Sequence, residues 1–127
     1  MSKTLTCTFS VADWQESEQW QSSDNCVTKT AAIKYHYTGD IQGESQMQMV
    51  LMYYPNGEAH FTALEHIEAD VDGKRGGLVL SHNGLHSEKV ANGQCELVFS
   101  TGELEGLRGH GSYAADASEV TLVLEII

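Results

Sequence analysis

A short pattern occurs three times along this chain: an acidic and an apolar residue lead into a glycine. The copies are Gly39-Asp40-Ile41-Gln42-Gly43, Ala69-Asp70-Val71-Asp72-Gly73 and Gly102-Glu103-Leu104-Glu105-Gly106. The closing glycines of successive copies are 30 and 33 residues apart, and apolar runs flank each copy. This spacing is typical of a recurring two-strand unit. The pattern predicts strands and glycine bends in a sheet that closes on itself, with the acidic side chains in water.

Length and charge limit the classes of protein to consider. At 127 residues the chain has the usual size of one domain, and we expect a single β-barrel domain over residues 1–127. Seven Lys and Arg against 18 Asp and Glu give a net charge of −11, which repels nucleic acids and anionic membranes. We therefore expect neither as a partner. A hydrophobic content of 41% is too high for an acidic disordered chain.

Cysteine spacing and the N-terminal residues bear on location and on cofactors. Cys7, Cys26 and Cys95 form no CxxC pair, so the sequence predicts reduced thiols rather than a disulfide framework or a zinc site. The chain starts without an apolar signal segment, and no apolar run is long enough for a membrane helix. A cytoplasmic location is the default expectation. The histidines lack metal-ligand spacing, and we predict neither a metal nor a cofactor.

Alternating polar and apolar residues predict most of the secondary structure. The first strand is the clearest, because Leu5, Cys7 and Phe9 alternate with threonines. Similar patterns predict strands near residues 27–37, 47–54, 59–68, 76–83, 95–99 and 120–127. No window has a sustained helical period. We therefore predict about eight or nine strands and almost no helix.

Turn residues suggest where the strands end. Residues 55–57, with the sequence Pro-Asn-Gly, predict a short hairpin turn, and the Asn-Gly pairs at 83–84 and 92–93 predict two more. Residues 13–25 are polar apart from Trp14 and Trp20, which predicts a long loop or a single helical turn. The two tryptophans are expected to cap the core.

The fold class predicted from these elements is all-β. An open sheet of so many short strands would leave two edges exposed, whereas an antiparallel closed β-barrel of about eight strands pairs every edge. The glycines of the repeat fit a barrel because strongly coiled strands need bends where a Cβ atom would clash. A β-sandwich is the alternative.

Several segments resemble a known family. The longest is Thr101-Gly102-Glu103-Leu104-Glu105-Gly106-Leu107-Arg108-Gly109, and shorter ones are Trp14, Gly39-Asp40 to Gly43-Glu44, Ala63-Leu64-Glu65, and His82 with Gly84. Together they resemble the domain of unknown function 3224 family, over nearly the whole chain. The resemblance implies an allene oxide cyclase-like antiparallel barrel of about eight strands. It implies no activity, because the family has none that is settled.

The candidate site follows from which residues face the barrel interior. Placing the more apolar face of each strand inward puts Glu65 beside Phe61 and Ile67, and His82 beyond Leu80. A buried carboxylate needs a partner, and an inward Glu-His pair could hold the polar end of a ligand or act as a general base. The hydroxyl groups of three tyrosines could line the same cavity: Tyr35, Tyr37 and Tyr53. The competing interpretation is a structural hydrogen-bonded pair, or a misassigned strand register.

Three functions are compatible with this sequence. The first is binding of a small, largely apolar molecule in the barrel cavity. The second is an isomerase or cyclase whose inner carboxylate stabilises developing positive charge. The third is a structural or interaction module with a filled core.

The outer wall predicts contact with another chain. Residues 47–54 are apolar on both strand faces, and residues 120–127 are strongly apolar. A second subunit is the expected cover, which makes a homo-oligomer the prediction. The polar segment 13–25 is the alternative cover.

Overall fold

Eight strands form a closed antiparallel barrel. The structure is a computed structural model that describes residues 3–115 and 119–127. The strands are β1 (Lys3–Gln21), β2 (Val27–Gly39), β3 (Gln42–Tyr53), β4 (Ala59–Val71), β5 (Lys74–Ser87), β6 (Val90–Ser100), β7 (Gly109–Ala115) and β8 (Glu119–Ile126). Each strand pairs with the next, and β8 pairs with β1. A three-residue 3-10 helix, Gly102–Leu104, precedes β7. The prediction of an all-β barrel is confirmed, and the sandwich alternative is wrong.

The interior is filled by alternate side chains of every strand. On β4, for example, Phe61, Glu65 and Ile67 are buried, whereas Leu64 and His66 point outward and are exposed. This period of two follows from the pleat of the strand. The face assignment made from the sequence is confirmed for β4.

The three copies of the repeat lie together at one end of the barrel, which we call the closed end. They form the β2–β3, β4–β5 and β6–β7 connections. Their central apolar residues, Ile41, Val71 and Leu104, are buried. The acidic residues stay at the surface, where Asp40 accepts a hydrogen bond from the backbone N–H of Thr6 at 2.8 Å. The copies are turns with a buried apolar centre, and their acids face water as predicted.

Two of the predicted hairpin turns are wrong. Both Asn-Gly pairs lie within strands, and Gly84 of β5 pairs directly with Gly93 of β6. The turn between these strands is at Glu88 and Lys89, which both have positive φ, 53° and 68°. Two consecutive residues with positive φ are typical of a type I′ hairpin turn. The Pro-Asn-Gly turn at residues 55–57 is confirmed.

The predicted loop at residues 13–25 is largely a strand. β1 continues to Gln21, and the connection to β2 covers only residues 22–26. β8 pairs with β1 from Lys3 to Ser10, so the later part of β1 pairs with β2 as an arm beyond β8. Backbone pairing with β2 satisfies the polar backbone of this segment despite its polar side chains. Trp14 lies on the arm, is 40% exposed and contacts the end of the lumen opposite the repeat. Trp20 is 59% exposed and does not cap the core.

The outer wall carries exposed apolar side chains. Val50 on β3 is exposed, and so are Leu64 on β4 and Val123 on β8. The expectation that a second subunit covers the wall stays a prediction. Within the described ranges, no helix is long and apolar enough to cross a membrane.

Candidate ligand-binding site

A cluster of buried polar side chains lies inside the barrel around Glu65. The Glu65 side chain comes from the middle of β4 and is 1% exposed. Its Oε2 atom accepts hydrogen bonds from the hydroxyls of Tyr37, at 2.8 Å, and Ser45, at 2.6 Å. Its Oε1 atom lies 2.8 Å from Nε2 of His82, which is also 1% exposed. Three groups therefore stabilise one carboxylate that has lost its hydration.

The cluster continues from His82 to Tyr113 on β7. Nδ1 of His82 is 2.8 Å from the hydroxyl of Tyr113. The two ring nitrogens thus bond to different partners, and the imidazole connects the buried carboxylate with a phenol. Every buried side-chain nitrogen or oxygen within the described part of the chain has a hydrogen-bond partner. We call the five residues Tyr37, Ser45, Glu65, His82 and Tyr113 the polar chain.

Strand pairing explains why these residues meet. His82 pairs with Ala63 across β4 and β5, which places it one interior position from Glu65. On its other side it pairs with Cys95 of β6, and Tyr113 of β7 pairs with Gly93 of the same strand.

A missing side chain on β6 makes room for the ring of Tyr113. A Cβ atom on Gly93 would lie only 2.4 Å from Cζ of Tyr113. The ring of Phe9 packs edge-on against Tyr113, with centroids 5.8 Å apart. Glycine at position 93 is therefore required for side-chain space and not for a turn.

Above the polar chain, the end of the barrel opposite the repeat contains a cavity of about 270 Å³. We call this end the open end. Six aromatic side chains line the cavity: Phe9, Trp14, Tyr35, Tyr53, Phe61 and Tyr113. Most of the remaining lining is aliphatic, and His86 contributes an imidazole near the end of β5. An apolar cavity with few polar groups is the usual form of a small-molecule site.

The structure divides the residues predicted for the site into two groups. Glu65, His82 and Tyr37 belong to the polar chain and do not line the cavity. Tyr35 and Tyr53 line the cavity but make none of the hydrogen bonds of the chain. No observation tests a ligand-binding role for any of these residues, which stays a prediction.

Tyr113 belongs to both groups, and sequence reasoning did not select it. It lines the cavity and bonds to His82. Its strand, Gly109–Ala115, is short and consists mainly of glycine and alanine, so the alternation that identified Glu65 is weak there. The one available signal was an aromatic residue in a strand of small residues.

The interior opposes additional negative charge. Burial, followed by the charge of Glu65, raises the pKa of Cys7 to about 12 and that of Cys95 to about 12. The pKa values of the tyrosine hydroxyls are raised as well, mainly by burial and partly by Glu65, at Tyr35, Tyr37 and Tyr113. The phenol next to the cavity is therefore a neutral hydroxyl at neutral pH.

Metal binding has no support in the geometry. Among residues 3–115 and 119–127, no group of three or more His, Cys, Asp or Glu side chains could hold an ion.

Comparison with known proteins places this barrel in a family. The family profile described as "Protein of unknown function (DUF3224)" matches residues 5–125. The chain belongs to the DUF3224 family. This membership confirms the resemblance seen in the sequence and covers all members of the polar chain, but it assigns no activity.

The crystal structure of another DUF3224 protein has the same fold. The crystal structure of a protein of unknown function from Shewanella oneidensis MR-1 matches with a TM-score of 0.79 and 20% identity. The match covers 100% of this chain and 97% of that one. At this identity the similarity establishes the fold alone. No match is found among curated proteins.

Proposed function

We propose that this DUF3224 protein binds a small, largely apolar molecule in the cavity at the open end of the barrel. The observation that carries the proposal is the aromatic and aliphatic lining of this cavity, which extends from the arm of β1 to Tyr113. Pockets of similar volume beside Val71 and Leu104 at the closed end are lined by charged residues such as Lys3, Asp72 and Glu103. The cavity of about 270 Å³ beside Tyr113 is mainly apolar. A module with a uniformly filled core would not leave this space, since interiors pack to high density.

The rim of the cavity supports the proposal. Val11 and Trp14 line it and are 46% and 40% exposed. Apolar side chains that face both water and a cavity are stabilised when a ligand covers them. The arm of β1 thus offers an apolar entrance to the lumen.

Tyr113 is the group that would meet the polar end of the ligand. It joins the apolar cavity to the polar chain, and its position is fixed by the 2.8 Å contact with His82. Glu65 lies behind His82, and both of its oxygens already accept hydrogen bonds. A bound molecule therefore reaches the phenol before the carboxylate, which favours binding over a reaction that needs a free carboxylate.

A cavity-filling variant tests the proposal. Native mass spectrometry of freshly purified protein would identify a retained compound, and calorimetry with 2-methylnaphthalene would measure binding of an apolar probe. Ala91→Leu adds bulk to the cavity wall, whereas Ala32→Leu makes the same change on the exposed outer face.

We expect the first variant to lose about tenfold or more in affinity, and the second to bind as the unchanged protein does. Absence of both a retained compound and probe binding would contradict the proposal. Equal loss in the two variants would also contradict it.

A further inference from the structure

We infer that the cavity selects a neutral or cationic aromatic molecule that donates a hydrogen bond to the phenolic oxygen of Tyr113, and excludes the corresponding carboxylate. The inference rests on the proposed function, because it specifies the chemical class of the ligand. Two observations support it, the charges around the lumen and the aromatic wall, together with the order of donors that we assign to the polar chain.

The order of donors begins at the carboxylate. Since Glu65 accepts at both oxygens, the Nε2 atom of His82 bonds to it as a donor. We assign His82 as the neutral tautomer with its proton on Nε2. Nδ1, which lies 2.8 Å from the Tyr113 hydroxyl, then accepts the single proton of that hydroxyl. The lone pairs of the Tyr113 oxygen remain for the cavity. A ligand hydroxyl or N–H group fits them, whereas a carbonyl or carboxylate oxygen does not.

The charges around the lumen favour the same class. Within residues 3–115 and 119–127, the side chains that line the cavity include no Lys or Arg. Lys29 lies over the Tyr53 ring, 5.0 Å from its centroid, but pairs with Glu16 at 3.8 Å. A carboxylate entering the cavity would lose its hydration near the buried Glu65 without gaining a free cation.

The aromatic wall accommodates a flat ring and tolerates positive charge. Edge-to-face and stacked contacts are favourable between rings, and the faces of Tyr, Trp and Phe attract cations. Phe9 and Tyr35 already pack in this way, with ring centroids 4.7 Å apart. A protonated amine on an aromatic ring would combine both interactions with the donor that Tyr113 requires.

Four compounds with the same ring system test the inference by calorimetry. They are 2-methylnaphthalene, 2-naphthalenemethanol, 2-naphthylmethylamine and 2-naphthoate. We expect the alcohol and the amine to bind about fivefold more tightly than the hydrocarbon, which is the usual contribution of one hydrogen bond. We expect 2-naphthoate to bind roughly tenfold more weakly than the alcohol, because its charge is desolvated without a partner.

Two variants assign these preferences to residues. Tyr113→Phe keeps the ring but removes the hydroxyl, so the alcohol and the hydrocarbon should then bind with about equal affinity. Glu65→Gln keeps the shape of the side chain but removes its negative charge. It should therefore reduce the difference in affinity between the alcohol and 2-naphthoate. Tyr54→Phe removes a hydroxyl that bonds to His60 outside the cavity, so it should leave the ranking unchanged. If Glu65→Gln does not fold, the Tyr113→Phe result decides alone.

The outcomes separate this inference from the proposed function. Binding of 2-naphthoate as tight as that of the alcohol would overturn the inference and leave the proposed function standing. Tight naphthoate binding that is lost in His86→Gln would place the polar end of the ligand at His86 instead, which also overturns it. Failure of all four compounds to bind would contradict the proposed function itself.

Discussion

The Nε2 atom of His82 lies 2.8 Å from Oε1 of Glu65 in the middle of a barrel that is otherwise mostly apolar. Both side chains are fully buried, so each depends on the other for a hydrogen bond that water would supply in the unfolded chain. A pair of well-packed apolar residues would avoid this desolvation. The pair connects the interior to Tyr113 at the cavity, which is the basis of the predictions about binding.

Removing one member of the pair should destabilise the protein strongly. His82→Leu leaves one oxygen of Glu65 without its donor, and we expect the free energy of unfolding to fall by about 3–5 kcal/mol. Denaturation in urea, followed by circular dichroism, measures this loss. His110→Leu, on the exposed outer face of β7, is the matched control and should change stability by less than about 0.5 kcal/mol.

The double variant Glu65→Leu/His82→Leu tests the reason for the loss. It removes both polar groups, so most of the stability lost in His82→Leu should return. A double variant that is less stable than His82→Leu alone would show that the carboxylate is not the source of the penalty.

The three thiols should react at different rates. Burial and the charge of Glu65 raise the pKa of Cys7 to about 12, which leaves roughly one thiolate in ten thousand at pH 8. Cys95 is buried with the same raised pKa. Desolvation and the charge of Asp24 also raise the pKa of Cys26, but this thiol is only half-buried in the β1–β2 connection. A colourimetric thiol reagent at pH 8 should therefore modify one thiol per folded chain and three in guanidinium chloride.

The pH dependence gives a second check on the thiols. Labelling of Cys26 should accelerate as the pH rises, because the thiolate is the reacting form. Cys26→Ser should abolish the fast phase in the folded protein. Equal labelling of all three cysteines under native conditions would contradict the buried positions of Cys7 and Cys95.

The closed end should be independent of the cavity. Leu104→Ala removes a buried side chain from the third copy of the repeat, and we expect a loss of about 2–5 kcal/mol in stability. Because the cavity is at the opposite end, the affinity for 2-naphthalenemethanol at a temperature where both proteins are folded should stay within about twofold. Leu107→Ala, at a partly buried position after the repeat, should cost less stability. A marked loss of affinity in Leu104→Ala would show that the two ends are coupled.

A glycine in the turn between β5 and β6 should increase the stability of the protein. Lys89 has a φ of 68°, a conformation that glycine adopts without strain, so Lys89→Gly should stabilise the protein by about 0.5–1 kcal/mol. The β4–β5 turn provides the precedent, since Asp72 and Gly73 both have positive φ there. Lys74→Gly, within a strand, should instead destabilise by a similar amount. Thermal unfolding followed by circular dichroism measures both changes.

Strand alternation was sufficient to place Glu65 and His82 in the interior. The pleat directs every second side chain inward, so a polar residue in step with Phe61, Ile67 or Leu80 must be buried. Local pattern also located the buried repeat turns, because each copy has an apolar residue two positions before a glycine with positive φ, which is a local property. These features depend only on neighbouring residues in the chain.

The Asn-Gly pairs at 83–84 and 92–93 led to wrong turn predictions, because their glycines make room for neighbouring side chains. A Cβ atom on Gly84 would lie 2.3 Å from Cζ of Phe61, and one on Gly93 would meet the ring of Tyr113. Both glycines are needed because an aromatic ring from another strand occupies the space. The sequence next to each glycine resembles a turn, and nothing local reveals the ring.

The sequence by itself determined the all-β class, the strand faces and the inward direction of Glu65 and His82, since these follow from short-range periodicity. Only the tertiary structure decided that His82 bonds to Tyr113, 31 residues away, and that aromatic side chains from several strands line one cavity. Contacts across a closed barrel depend on the register of every strand between them. That register is set by the summed packing of the whole core, which no local pattern in the chain records.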